Sequence, residues 1–79
     1  MIYTIFGREN CTFCDKATDL IGDKGHGYSY YGIDSDLWAK TLMLKAGYKT
    51  VPIIFDAQGK EIGGYTELLI LLKDTTDAS

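Results

Sequence analysis

Seventy-nine residues are enough for one domain and too few for two, and a domain this small buries only about 60% of the surface its unfolded chain exposes. With 46% hydrophobic, 13% aromatic and 24% charged residues, the composition is that of a folded globular chain and argues against disorder. A net charge of −3, with no block of like charge, argues against nucleic acid or an acidic membrane surface as the main partner.

The chain opens on Ile2-Tyr3-Thr4-Ile5-Phe6, a nearly continuous apolar run of branched and aromatic residues that reads as a buried strand. Its start has no basic stretch and no small-residue cleavage site, so it does not read as a signal peptide. Gly7 to Asn10 forms a loop, with Asn10 the expected N-cap of a helix from Thr12 to Lys24. Cys14, Ala17 and Ile21 mark one face of that helix, and Gly25-His26-Gly27 ends it. Tyr28 to Ile33 reads as a second strand. Asp34 or Ser35 can cap a second helix, in which Leu37, Trp38, Leu42, Met43 and Leu44 offer apolar surface and which Gly47 stops.

A third strand is predicted from Val51 to Phe55, with Pro52 near its start, one of the few strand positions proline tolerates. Asp56 to Gly59 turns the chain into a short fourth strand, Lys60 to Ile62. Gly63-Gly64 breaks it before a last helix, Thr66 to Lys73, and Asp74 to Ser79 is a polar tail expected to fray. The order β-α-β-α-β-β-α places the first two strands parallel with a right-handed crossover and the last two antiparallel. The expectation is an α/β fold in one domain over residues 1–79, a mixed four-stranded sheet covered by three helices. No apolar run approaches the length of a membrane span, so the cytoplasm is the expected compartment.

Two cysteines carry the chemistry. A bridge between Cys11 and Cys14 closes a loop of only four residues, which chain-entropy bookkeeping values at roughly 2 kcal/mol, and stable structural disulfides are rare in the cytoplasm. Such a pair is poorly placed to staple a fold and well placed to open and close. It falls where the first strand ends and the first helix begins. Unpaired N–H groups and the positive end of the macrodipole favour a thiolate there, and Arg8 adds positive charge. Together these should lower the pKa of Cys11 below the free value of about 8.5. Cys14, one turn into the helix, should stay protonated and wait to attack. Zinc would need four ligands, and beyond the cysteines only His26 is a candidate.

Three separated motifs make the chain resemble the glutaredoxins, in particular the short bacteriophage-type dithiol members. They are Arg8-Glu9-Asn10-Cys11-Thr12-Phe13-Cys14, Thr50-Val51-Pro52, which looks like the family's threonine–valine–cis-proline, and Gly63-Gly64-Tyr65, similar to the glycine pair that opens the last helix. The resemblance implies a thioredoxin-like fold, with Cys11 the attacking thiolate and Cys14 the resolving thiol. It implies glutathione as co-substrate, with no tightly bound cofactor. Val51 would pair its backbone with the tripeptide, flanked by Thr50 and Pro52. Arg8 and Lys49 would face the glycine carboxylate. N–H groups of Tyr65 and Thr66, beside Gly64, would hold the γ-glutamyl carboxylate, and Phe13 would line the groove. The chain departs from the usual pattern at Thr12, where proline is common, and at Thr66, where aspartate or serine is common.

The reading is a monomeric, glutathione-dependent thiol–disulfide oxidoreductase that reduces protein disulfides or glutathionylated proteins, with ribonucleotide reductase a partner suggested by resemblance. The alternative is a redoxin reduced by thioredoxin reductase and serving ribonucleotide reductase, which Gly47-Tyr48-Lys49 somewhat resembles. A further alternative is a glutathione-ligated [2Fe–2S] carrier.

Overall fold

The computed structural model describes the backbone of residues 2–77 and the side chains of residues 2–72. The elements follow in the expected order: β1 (Ile2–Gly7), α1 (Thr12–Asp23), β2 (Gly27–Gly32), α2 (Leu37–Ala46), β3 (Ile53–Phe55), β4 (Glu61–Gly63) and α3 (Tyr65–Asp77). The strands lie side by side as β2-β1-β3-β4. β1 runs parallel to β2, with Ile5 opposite Tyr30, and antiparallel to β3, while β3 and β4 are antiparallel with an irregularity at Ile54/Phe55. The most apolar strand of the sequence is thus flanked on both sides.

Alternation along the strands sorts the core onto two faces. Tyr3, Ile5 and Ile54 pack with Ala17 and Ile21 of α1 and Leu68 and Leu72 of α3. Phe6 and Ile53, next along the same strands, pack with Ala39 and Met43 of α2. Two helices therefore cover one face and one the other. Each large aliphatic side chain so buried contributes about 1.5–3 kcal/mol of transfer free energy.

The differences from expectation are local and have physical causes. Asn10 does not cap α1; it takes a left-handed conformation, φ 55°, which asparagine tolerates, and hands the N-cap to Cys11. β2 begins at Gly27 and α1 ends at Asp23, one residue before each predicted limit. β3 starts at Ile53 because Pro52 has no N–H to give a ladder. Neither Asp34 nor Ser35 caps α2; the amides of Ser35 and Asp36 both turn back to the Gly32 carbonyl, and Asp36 is the N-cap.

On α2 only Ala39 and Met43 are buried, four residues apart on one stripe. Leu37, Leu42 and Leu44 are exposed, and Trp38 sets its ring edge-on against Phe6 and Tyr31. Gly47 stops α2 as expected, at φ 83°. With no glycine or proline to break it, α3 continues through Asp77. The tail expected to fray is therefore helical as far as Asp77, and its last two positions, 78 and 79, lie outside the described residues. Among the described residues no helix is long and apolar enough to cross a membrane.

Candidate active site

The site forms where β1 hands over to α1. Gly7 closes the strand, its carbonyl accepting the amide of Ile33 at 2.8 Å, and Arg8-Glu9-Asn10 turns the chain across the end of the sheet. The amide of Glu9 donates to Asp34 at 3.2 Å, pinning that turn to the segment after β2. Cys11 is then extended, and its Sγ accepts the amide of Cys14 at 3.2 Å. The place normally held by a serine, threonine or aspartate oxygen is held here by a sulfur.

The two cysteines are joined as a disulfide, with Cα atoms 5.2 Å apart. Cys11 is half-buried at the mouth of the site, whereas Cys14 is 0% exposed. A reagent approaching from solvent meets Cys11 first. Asp15 also stands in the first turn of α1, a negative charge that works against the macrodipole's pull on a thiolate.

Two adjoining depressions lie beside the cysteine loop, the larger of them reaching Cys11. One, of about 640 Å³, is lined by Arg8, Cys11, Phe13, Lys49, Thr50 and Val51, and continues to Lys40, Met43, Leu44 and Tyr48. The other, of about 180 Å³, is lined by Phe13, Thr50, Val51, Pro52, Gly64, Tyr65, Thr66 and Glu67. They share Phe13, Thr50 and Val51, so all nine binding residues expected from the sequence fall along one surface. The larger depression has three cations on its lining and no carboxylate, on a chain whose net charge is −3.

Local backbone explains the two loop motifs. The Val51–Pro52 peptide bond is cis, and Pro52 is buried. Gly63 sits at φ 122°, and a side chain there would come within 2.9 Å of Glu67 Cγ. Glu67 reaches back to accept the amide of Gly64 at 2.7 Å, one half of a capping box. Tyr65 packs against Phe13 with ring centroids 5.9 Å apart, and Lys16 Nζ lies 5.4 Å from the Phe13 ring centre.

The sequence reading missed several residues. Tyr48 lines the larger depression and donates its hydroxyl to Glu61 of β4, a bond that raises its pKa above the ordinary tyrosine value. Lys40, Met43 and Leu44 enter the same depression because α2 crosses beside the cysteine loop, a tertiary relation with no local signal. Glu67, three residues after Gly64, was a recognisable capping signal that passed unused. On the far side of the cysteine loop lies a cleft of about 530 Å³ whose lining includes Glu9, Asp15, Tyr30, Asp34 and Asp36, with Arg8 common to both sides.

The family model for glutaredoxin matches residues 2–62. The chain is 35% identical over 82 residues to Glutaredoxin 1 of Escherichia coli K12, covering 94% of this chain and 95% of that one. Its fold matches that of a buckwheat glutaredoxin–glutathione complex with a TM-score of 0.78 at 25% identity, over 92% of this chain and 69% of that one. The NrdH-redoxin of Escherichia coli superposes with a TM-score of 0.77 at 18% identity, over 91% and 93% of the two chains, a likeness of fold alone. The fold is thioredoxin-like, a cysteine pair stands at the strand–helix junction, and the chain belongs to the glutaredoxin family of thiol–disulfide oxidoreductases.

Proposed function

We propose that this protein reduces disulfides at the expense of glutathione, with Cys11 as nucleophile and Cys14 as resolving thiol. The observation that carries the assignment is the pairing of a half-exposed Cys11 sulfur, already accepting a helix N-terminal amide at 3.2 Å, with a Cys14 that is 0% exposed. A group that accepts from an N–H accepts more strongly as an anion, so reduction turns Cys11 into a thiolate held at the positive end of α1.

The Cys11 thiolate attacks a disulfide sulfur of the substrate. One S–S bond forms, the other breaks, and the displaced thiolate takes up a proton. Cys14 then attacks the sulfur of Cys11 and releases the second half of the substrate as a thiol; where that half is glutathione, a second glutathione thiolate can instead attack the glutathione sulfur, forming glutathione disulfide and freeing the Cys11 thiolate. The dithiol route leaves the Cys11–Cys14 disulfide, and two glutathiones return it to the reduced pair.

Glutathione fits the surface chemically. Arg8 and Lys49 stand at one end for its glycine carboxylate, Val51 offers backbone for a short added strand, and the start of α3 at Tyr65 and Thr66 offers N–H groups for the γ-glutamyl carboxylate. The whole chain acts as a single, monomeric domain in the cytoplasm, where a four-residue disulfide loop can cycle. Protein disulfides, including that of ribonucleotide reductase, are its substrates.

One observation favours a second reading. Glu67 already occupies the Gly64 amide and puts a carboxylate at the end where the γ-glutamyl carboxylate would bind. A redoxin fed by thioredoxin reductase needs no tripeptide site and would not suffer from that charge.

The electron donor decides between them. The glutathione reading predicts turnover of a small mixed disulfide with glutathione, glutathione reductase and NADPH, and a raised glutathione requirement for Lys49→Ala combined with Thr66→Pro, a proline the first helical turn tolerates. Rapid reduction by thioredoxin reductase with negligible glutathione turnover would establish the second reading.

A further inference from the structure

We propose that the hydroxyl of Tyr30 serves Cys14, donating a hydrogen bond to its sulfur whenever that sulfur carries charge. This rests on the assignment of Cys14 as the resolving thiol.

Cys14 has a solvation problem that the helix does not solve. Its side chain is 0% exposed, and among the described residues no polar or charged side chain is buried with it. Cys14 is nevertheless a thiolate twice in each cycle. It becomes one to attack the mixed disulfide on Cys11, and it leaves as one when a reductant opens the Cys11–Cys14 bond. A charged sulfur withdrawn from water needs a donor.

The hollow beside Gly7 supplies it. A methyl group built on Gly7 would lie 2.8 Å from Tyr30 Cζ and 2.9 Å from Cys14 Sγ, with Tyr30 Oη closer still. Phenol and sulfur thus flank one gap, which stays open because residue 7 has no side chain. In the disulfide state the Tyr30 hydroxyl donates instead to the carbonyl of Arg8, at 3.1 Å. That bond is to a neutral acceptor. A thiolate across the gap is the stronger acceptor, and with no side chain on residue 7 the phenol is free to turn from the Arg8 carbonyl toward it.

Tyr30 also faces the acidic cleft, whose lining Cys14 does not reach. Charged or titratable groups around the phenol are Arg8, Glu9, Asp15, Tyr28, Asp34 and Asp36. Burial first, and then the carboxylates of Asp15 and Asp34, raise the Tyr30 pKa, so its proton stays in place as a donor.

In the resolving step the thiol proton of Cys14 is released to solvent. Cys14 sulfur bonds to Cys11 sulfur as the Cys11–substrate bond breaks, and the departing thiolate takes a proton from solvent. Proton and electron counts close. In the opening step a reductant thiolate bonds to Cys11, and the electron pair of the broken bond goes to Cys14, where the Tyr30 hydroxyl meets it.

The test uses Tyr30→Phe, which keeps the ring and removes the oxygen. The reduced protein is mixed with a limiting aromatic disulfide whose thiolate product is coloured, at mildly acidic pH, in a stopped-flow instrument. The first equivalent of colour reports attack by Cys11 and the second reports resolution by Cys14. Loss of a hydrogen bond to a charged group, partly compensated by water because Tyr30 is 38% exposed, should slow the second phase about tenfold and leave the first unchanged. In a Cys14→Ser background, where only the first phase exists, Tyr30→Phe should have no effect. Equal slowing of both phases, or an effect that persists in Cys14→Ser, would mean that Tyr30 only holds the Arg8 loop, and an unchanged second phase would remove the role altogether.

Discussion

The hollow at Gly7 can be tested for its energetic cost independently of catalysis. In Gly7→Ala the new methyl group meets Tyr30 Cζ at 2.8 Å and Cys14 Sγ at 2.9 Å. Neither neighbour is the loose end of a flexible chain: one belongs to a ring, the other to a disulfide on a helix. Overpacking of this kind costs about 1–3 kcal/mol. Against it stands a gain of about 0.4–1 kcal/mol from the lower entropy of the unfolded chain. The net loss is about 1–2 kcal/mol, which for a domain of this size lowers the melting temperature by roughly 5–15 °C.

Thermal unfolding of the oxidised protein, followed by circular dichroism, measures it. Tyr30→Ala combined with Gly7→Ala should recover part of the loss by removing one of the two obstacles, so the pair should be non-additive. A Gly7→Ala protein as stable as the parent would refute the packing described around Cys14.

Charges near Cys11 should move its reactivity in opposite directions. Asp15→Asn removes a negative charge from the first turn, favours the thiolate and should shift the pH profile of iodoacetamide labelling downward. Arg8→Ala should shift it upward, each by a few tenths of a pH unit because these exposed charges are screened. Movement of both in the same direction would contradict the electrostatic account. Glu67→Gln retains an acceptor for the Gly64 amide and removes the carboxylate, so the glutathione requirement in coupled turnover should fall severalfold. A rise would show that Glu67 assists the tripeptide.

The sequence made the frame legible because its signals are local. The apolar run at Ile2–Phe6 became the central strand, and Cys14, Ala17 and Ile21 became the buried stripe of α1, because three- and four-residue spacing allows only one face. Gly47 stopped α2 for the same kind of reason. Where the signal was ambiguous, geometry decided. Seven apolar residues among the ten of α2 define no single stripe, so the sequence did not say that Ala39 and Met43 would be buried and Leu37 and Leu44 exposed. Asn10 and Cys11 could both follow a strand into a helix, and only the left-handed turn at Asn10 gives the cap to the sulfur.

The motif residues converged on one surface as expected, yet its further reaches came from contacts between distant segments. Lys40, Met43 and Leu44 belong to a helix that crosses the loop, Tyr48 is tied to Glu61 on another strand, and Tyr30 comes to the hollow at Gly7 that Cys14 also borders only because β2 lies beside β1. No spacing in the chain announces those meetings.

The division of labour between the two cysteines is tested most directly by replacing each in turn and assaying two reactions, reduction of a protein disulfide and removal of glutathione from a mixed disulfide. The account predicts that Cys11→Ser abolishes both, because the half-buried sulfur at the helix N-terminus is the one nucleophile that meets substrate. Cys14→Ser should lose the first and retain part of the second, with glutathione taking over the resolving step. Activity in Cys11→Ser, or loss of both reactions in Cys14→Ser, would contradict the assignment.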